Sequence, residues 1–356
     1  MGDCLLGSKN VYSSENLRKC YYVLDKIVDN LEGDYSITDN DLIKELELQK
    51  DELYMERIKL RDKNRELNKK LYQLSRFDNL KEIMIESLSE VEPVIFNKTI
   101  KNNFTSDIEA SLILSDIHYG ISVDNQLNFY NTDVAKDRLF EIVSKTIDYC
   151  KIHNVNTLHI EILGDIVSGI INTSNRVEQE EDIMTQIINV SEVLTSCISK
   201  LEENIPNVKV YTVFGNHSRV MPNKKDSINR ENLERLIYQY LKIRLPNTKI
   251  VTSMNDDFLA IKIKDKEILL CHGDKDNINN AVNNYVKLLN KKFDEIHMGH
   301  FHSFEWKDDN DTDITVNGSL VGTDDYAQSI RRSTKPTQVL RVYGIDTCTY
   351  KLNTNK

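Results

Sequence analysis

The residues of this chain best suited to chemistry are aspartate, asparagine and histidine residues that follow short apolar runs. The first group comes just after residues 112–114, where Asp116 and His118 stand two positions apart. Residues with this spacing leave a strand on the same face, and a turn beginning there lets both side chains converge on one ion. Four further motifs of this kind follow, namely Gly164-Asp165, Gly215-Asn216-His217, His272 and Gly299-His300-Phe301-His302.

These residue types are typical ligands of divalent metal ions. A mixture of Asp, Asn and His suits Mn²⁺, Fe²⁺, Zn²⁺ or Ni²⁺, whereas Ca²⁺ prefers a site made only of oxygen atoms. The motifs offer more ligands than one ion needs, so we predict two divalent ions, with Mn²⁺ as the first choice. Two ions about 3.5–4 Å apart that share a bridging carboxylate would use the whole set.

Two of the remaining histidines are predicted to be structural. The motifs hold five of the eight histidines in the chain. Of the other three, His159 and His297 fall inside predicted strands, where a histidine is usually buried and hydrogen-bonded. We therefore do not expect these two to bind a metal.

The motifs need a framework that brings distant parts of the chain together. From Glu109 onward, apolar runs of strand length alternate with amphipathic runs of helix length, which indicates an α/β fold. Each motif lies at the end of a predicted strand, and these strands cover residues 111–115, 157–163, 208–214, 267–271 and 294–298. Because α/β folds present their sites at the carboxyl ends of strands, the motifs are predicted to form one site.

The N-terminal region has a different character. Residues 1–90 are predicted to form a small all-α domain, residues 91–108 a polar linker, and residues 109–356 the α/β domain. A helix is expected over residues 13–31, then a short helix after Thr38 and a long charged helix over residues 50–76. A turn at residues 47–49 would give the last two helices the spacing of a helix-turn-helix.

Three interpretations of this region remain open. The long helix carries many basic residues, which favours contact with nucleic acid, although Asp51 and Glu52 at its start would repel phosphate. A seven-residue repeat favours pairing of the helices in a homodimer, and its members are Leu46, Leu53, Leu60, Leu67 and Leu74. The third interpretation is a helical domain whose charges are simply solvated.

The composition excludes several classes of protein. The net charge of −10 argues against a passive DNA-binding protein with a wholly basic surface, but it leaves room for a local basic patch. The six cysteines lack paired spacing, which indicates reduced thiols and a cytoplasmic location. No signal pattern and no apolar run of about 18 residues occurs, so no membrane partner is expected.

The motif order D-x-H, G-D, G-N-H, H and G-H-x-H resembles that of the calcineurin-like metallophosphoesterases over roughly residues 110–325. The resemblance implies a four-layer α/β/β/α sandwich with two metal ions at the strand ends. It implies that one ion is bound by Asp116, His118, Asp165 and His302. It implies that the other is bound by Asp165, Asn216, His272 and His300.

The same resemblance implies a mechanism. Asp165 would bridge the two ions, and a hydroxide held between them would attack phosphorus in line. His217 would contact the phosphate or protonate the leaving oxygen. Many relatives carry Asp or Glu after G-N-H, where this chain has Ser218, so the group that orients His217 is left open. The residues after Gly164-Asp165 also lack the further Asp and Arg of protein phosphatases, which counts against that activity.

Basic residues suggest the substrate. Two groups follow the third and fifth motifs, and they are Arg219, Lys224 and Lys225, and Arg331, Arg332 and Lys335. Either group could hold phosphates by charge, and the long polar loop over residues 168–179 could form a rim. With the basic N-terminal helix, these residues favour DNA as the substrate and partner.

We therefore predict a dinuclear-metal-dependent DNA nuclease. The arrangement of domains also resembles metallophosphoesterases of bacteriophages and prophages that are related to DNA-repair exonucleases, which implies the cytoplasm of a bacterial host. One alternative is a phosphodiesterase or phosphomonoesterase for small molecules. Another is a nucleic-acid-binding adaptor with vestigial catalysis.

Overall fold

Two β-sheets form the centre of the larger of two compact units, residues 73–356, and the other unit is residues 1–72. The computed structural model describes residues 22–23, 25, 39–89, 92–94, 106–171, 179–228, 231–253 and 257–354. Its helices are α1 (Asp39–Ser89), α2 (Thr132–His153), α3 (Ile183–Asn204), α4 (Glu234–Arg244), α5 (Ala281–Leu289) and α6 (Asp325–Ser329).

The strands follow in chain order. They are β1 (Glu109–Leu114), β2 (Val123–Asp124), β3 (Phe129–Tyr130), β4 (Thr157–Ile162), β5 (Asn207–Thr212), β6 (Lys249–Thr252), β7 (Phe258–Ile263), β8 (Lys266–Cys271), β9 (Glu295–Met298), β10 (Glu305–Asp308), β11 (Asp313–Val316), β12 (Thr337–Tyr343) and β13 (Thr347–Asn353). The first large sheet has the order β13-β12-β1-β4-β5-β6, and the second has the order β10-β11-β9-β8-β7.

Alternating side chains of β1 show how the layers pack. Leu112 and Leu114 point into the core beneath the helices, whereas Ile113 lies in the core between the two sheets. Helices α2, α3 and α4 contribute to the first of these cores, and α5 covers the outer face of the second sheet. The fold is therefore an α/β/β/α sandwich, which confirms the predicted fold class.

The two longest helices of this domain start at side-chain caps. Asn131 Oδ1 accepts a hydrogen bond from the Val134 amide at 2.9 Å, and Asp182 Oδ1 accepts one from the Met184 amide at 2.9 Å. Both helices then bury an apolar stripe against the first sheet. These helices connect β1 to β4 and β4 to β5, so they keep the three strands parallel.

The N-terminal helices differ from the prediction. Residues 39–89 form one continuous helix, so the predicted turn at residues 47–49 is wrong, and with it the helix-turn-helix spacing. Glu47, Leu48 and Gln49 are good helix formers, and neither Gly nor Pro is present to end the helix. Of the helix predicted over residues 13–31, the structure describes only residues 22, 23 and 25. Among the described residues, no helix combines the length and apolarity needed to span a bilayer.

Candidate metal centre

The five motifs meet where strands of both sheets end. Strands β1, β4 and β5 are parallel neighbours in the first sheet, and β8 and β9 are parallel neighbours in the second. Each motif begins one to three residues beyond the end of its strand. Because parallel strands end on the same side, the loops that carry the motifs come together there.

Most of the predicted ligands have an unusual backbone conformation. The residues with positive φ include Asp116 (51°), His118 (47°), Asp165 (53°), His300 (70°) and His302 (58°). A non-glycine residue in this region costs roughly 1–3 kcal/mol and persists only where the surrounding structure enforces it. This strain is concentrated in the loops that bear the candidate ligands, as expected for a functional site.

Two glycines allow these loops to touch. A Cβ atom on Gly164 would collide with the backbone of Gly215, and one on Gly215 would collide with the backbone of Asp165. The loops after β4 and β5 therefore pack backbone against backbone. This contact brings Asp165 and Asn216 next to each other.

The first metal cluster consists of Asp116, His118 and His302, whose candidate ligand atoms all lie within 4.8 Å of one another. His118 Nε2 and His302 Nε2 are 3.1 Å apart, and His302 Nε2 is 3.4 Å from Asp116 Oδ1. Both side chains of the loop after β1 thus face the last histidine of the fifth motif.

The second metal cluster consists of Asp165, Asn216, His272 and His300. His272 Nε2 lies 3.0 Å from Asp165 Oδ2 and 3.1 Å from Asn216 Oδ1. The candidate ligand atoms of Asp165, His272 and His300 lie within 4.8 Å of one another. Asp165 also groups with His118 in the same way, so it stands between the two clusters.

Two buried carboxylate oxygens show whether the site suits a metal ion. Asp116 Oδ2 accepts hydrogen bonds from Ser115 Oγ and from the His300 amide, and Asp165 Oδ1 accepts one from the His217 amide. The other oxygens, Asp116 Oδ1 and Asp165 Oδ2, are buried and lack a well-formed hydrogen bond. A buried carboxylate oxygen without a donor is costly, and a cation would satisfy both, so the residues fit divalent metals.

The histidines are oriented by backbone carbonyl groups. His272 Nδ1 lies 2.8 Å from Leu163 O, and His217 Nδ1 lies 3.1 Å from Ser168 O. With Nδ1 held by a carbonyl group, Nε2 of each ring is the nitrogen left to meet a metal ion or a substrate. The Ser168 carbonyl is thus the group that orients His217, a question that the motif alone left open.

Charge in the site is strongly coupled. Burial raises the pKa of Asp116, but the nearby His302 outweighs it and holds that pKa at about 2. Burial lowers the pKa of His272, but the Asp165 carboxylate outweighs it and raises that pKa to about 10. Burial and the neighbouring His217 lower the pKa of His118. The carboxylates are thus anionic and ready for a cation.

A buried glutamate, Glu234 of α4, was not predicted from the sequence. Its carboxylate accepts hydrogen bonds from the Ile166 amide, the Gly215 amide and Ser218 Oγ, at 2.8, 2.8 and 2.9 Å. Burial and the charge of Asp165 raise its pKa. Glu234 thus ties together the loops after β4 and β5, and it contacts Ser218, the residue that follows the G-N-H motif.

A sequence signal for Glu234 exists. It shares the buried face of α4 with Ile237, Tyr238 and Leu241, at the spacing i, i+3, i+4 and i+7. An acidic residue at the start of an apolar stripe needs buried donors, so it marks a contact with polar backbone.

The predicted substrate residues are dispersed. Arg219 and Lys224 line a cavity of about 150 Å³ together with Asn216, Asp274 and Lys275. Lys224 Nζ pairs with Asp274 Oδ2 at 2.9 Å. The residues that lie outside this cavity are all exposed, and they are Lys225, Arg331, Arg332 and Lys335. Residues 172–178 of the predicted rim lie outside the described residues.

Comparisons with known proteins give distant relatives, and no family model matches. The chain is 24% identical over 318 residues to the uncharacterized protein YonJ from the SPbeta prophage of Bacillus subtilis strain 168, covering 85% of this chain and 78% of the relative. Among solved structures it is similar to an archaeal phosphodiesterase, with TM-score 0.36, 15% identity and coverage of 68% of this chain and 99% of the other. It is also similar to a predicted phosphoesterase of Streptococcus pneumoniae TIGR4, with TM-score 0.32, 9% identity and coverage of 69% and 90%.

Proposed function

We propose that this chain is a metal-dependent phosphoesterase that hydrolyses phosphodiester bonds of DNA. The observation that carries the proposal is the pair of adjoining metal clusters with an unsatisfied carboxylate oxygen in each. Asn216, His217, His300 and His302 are partly exposed, so the centre is open to solvent on their side. A substrate reaches the centre from that side.

The seven residues of the two clusters would hold two divalent ions, with Mn²⁺ as the first choice. Such ions activate water as a nucleophile and neutralise the charge that develops on a phosphoryl group. The chain itself fixes the ligands through Leu163 O for His272 and through backbone amides for both carboxylates. This fixed arrangement costs little reorganisation during the reaction.

His217 is proposed to act on the leaving oxygen. Its Nε2 lies 4.0 Å from Asp165 Oδ2, and its ring stands edge-on to His118 with centroids 4.6 Å apart. Because Ser168 O fixes Nδ1, proton transfer is left to Nε2 of this partly exposed ring. A histidine in this position donates a proton or a hydrogen bond to a phosphate ester.

Arg219 supports a substrate that carries further phosphates on either side of the phosphodiester bond that is cleaved. Its Nε atom is buried without a hydrogen-bond partner. Arg219 lines the same cavity as Asn216, which belongs to the second metal cluster. A guanidinium group in this setting offers a planar pair of donors to a second phosphate. DNA supplies such a phosphate on each side of every internal bond.

The long helix α1 supports a separate proposal, a homodimer. Leu46, Leu53, Leu60 and Leu67 are 44–62% exposed on this helix, whose other exposed apolar side chains include Leu48, Tyr54, Met55, Ile58 and Leu71. Their seven-residue spacing matches the seam of paired helices. Light scattering of the full chain should give twice the monomer mass, and Leu53→Glu with Leu60→Glu should reduce it to one.

The function is tested by hydrolysis of labelled single- and double-stranded DNA in Mn²⁺, beside the small diester bis-p-nitrophenyl phosphate. Cleavage of DNA by the full chain, absent in Asp165→Asn, would support the proposed nuclease. Turnover of the small diester alone would indicate a small-molecule phosphodiesterase. Bound metal and bound DNA without any turnover would indicate an adaptor.

A further inference from the structure

The space between the two sheets opens where edge strands β10 and β13 lie on the same side of the sandwich. Lys351 of β13 stands directly across from Val339, which packs in the core between the sheets. Trp306 of β10 stands across from Thr315, whose Oγ1 accepts a hydrogen bond from Arg341 of β12. Cross-strand partners share a face, so Lys351 and Trp306 both face this opening.

The inner end of the opening adjoins the loop that carries His302. A cavity of about 330 Å³ lies there, and its lining includes Ser303, Phe304, Lys335 and Lys351. Ser303 directly follows His302 of the first metal cluster. We call the path from Ser303 through this cavity to Trp306 the edge groove.

The edge groove offers positive charge that is not neutralised. Lys351 Nζ lies 4.9 Å from the centre of the Phe304 ring, in a cation–π contact. In the part of the chain that the structure describes, neither Lys335 nor Lys351 forms an ion pair. Their charges are therefore available to an anionic ligand near the metal centre.

The edge groove also offers aromatic surface. Trp306, the only tryptophan of the chain, is 53% exposed. Phe304, just before β10, is partly buried and packs against the core between the sheets, on the same side of the second sheet as Trp306. Glu305, between them, pairs with Val316 and faces the α5 side of the sheet. The far end of the groove is acidic, with Asp308 exposed and Asp313 paired to Arg341.

We propose that the edge groove binds a single-stranded polynucleotide next to the bond that is cleaved, an inference that rests on the proposed function. Bases stack on Phe304 and Trp306, and phosphates lie against Lys335 and Lys351. Stacking on aromatic side chains combined with a basic groove is how proteins bind single strands. A base-free polyanion would engage only the lysines, and a duplex hides the faces of its bases. The acidic end beyond Trp306 limits the path to a few nucleotides.

The chain carries its own probe for this binding. The fluorescence of Trp306 is measured while Asp165→Asn, which should not cleave the ligand, is titrated with a twelve-residue oligothymidylate. We expect saturable quenching that weakens as salt is raised. The same titration is made with a duplex of equal length and with inorganic polyphosphate. Both should bind more weakly and quench less.

Paired variants identify the residues. Phe304→Leu should weaken oligothymidylate binding about 5- to 100-fold, the effect of losing one stacked base. Lys335→Ala with Lys351→Ala should weaken it and reduce its salt dependence. The matched control is Lys262→Ala with Lys287→Ala, which removes two exposed lysines elsewhere and should change neither. Equal binding of polyphosphate and oligothymidylate, with no effect of Phe304→Leu, would overturn the proposal.

Failure of this proposal is distinguishable from failure of the proposed function. If the wild-type chain cleaves DNA while Trp306 and the groove variants give no response, the edge groove is not the path and the nuclease stands. If Trp306 reports tight binding but no DNA is cleaved under any metal, the groove stands and the nuclease does not.

Discussion

Two buried sets of histidine and carboxylate side chains in this fold have opposite characters. The interior set lies between the sheets, where His297 Nδ1 is 2.6 Å from Glu161 and Nε2 is 3.1 Å from Glu295. Glu161 also accepts a hydrogen bond from Ser111, and Glu295 one from Tyr343. In the metal clusters, by contrast, Asp116 and Asp165 each keep a buried oxygen without a hydrogen bond.

Whether a histidine lies inside a strand or beyond its end decides what it does in this fold. His297 lies within β9, where the regular backbone fixes the side chain between partners on the neighbouring strands. His300 and His302 lie in the loop just beyond it and have positive φ. Their side chains face carboxylates that each have an oxygen without a hydrogen bond. Both sets combine histidines with buried carboxylates, so the carboxylate oxygens without a hydrogen bond are what separate the site from the structural network.

The largest effect should come from Asp165→Asn. Loss of the anionic oxygen between the clusters should lower the metal content and reduce turnover by about 10³-fold or more, since several kcal/mol of charge stabilisation are lost. Metal is measured by elemental analysis of the purified chain, and turnover with bis-p-nitrophenyl phosphate. Glu161→Gln, the matched change in the interior set, should retain its metal. Full turnover in Asp165→Asn would refute the role of Asp165.

His297→Ala should have the opposite pattern, with stability lost and metal binding retained. Removing one partner of a buried charged pair leaves Glu161 and Glu295 uncompensated, which should lower the free energy of unfolding by about 3–5 kcal/mol. Urea denaturation monitored by circular dichroism measures the change. Metal affinity of the folded variant should stay at the wild-type value. A variant that loses metal yet keeps its stability would show that the two sets are not separate.

A smaller effect should come from Glu234, which contacts neither metal cluster directly but positions the loops after β4 and β5. Glu234→Ala should weaken metal binding about 10- to 100-fold, as is typical for groups that orient ligands. Adding Ser218→Asp to this variant returns a carboxylate to the same pair of loops and should recover part of the affinity. Calorimetric titration with Mn²⁺ measures both. No recovery, with both variants folded, would argue that Glu234 acts only through packing.

Much of this fold and site follows from local sequence. The motifs mark strand ends because an apolar run that stops at Asp116, Asp165 or Asn216 cannot continue as a buried strand. Helix α1 differs from the prediction because residues 47–49, where a turn is predicted, are three good helix formers. The contacts of Glu234 and the edge groove depend on tertiary packing, since each joins segments that are distant in the chain. No periodicity in the local sequence predicts such long-range contacts.

The smallest effect concerns pH and the interior set. Burial lowers the pKa of His297, but Glu161 and Glu295 outweigh it, so its pKa is raised in the folded chain. A raised pKa contributes stability that is complete below the unfolded value of about 6.5 and is lost as pH rises through the folded value. The stability difference between the wild-type chain and His297→Gln should therefore be largest near pH 6 and shrink as the solution becomes alkaline. In the metal clusters a cation competes with protons for the histidines, so metal affinity should rise over the same range. Urea titrations at several pH values test the first trend, and a stability difference that grows with pH would contradict it.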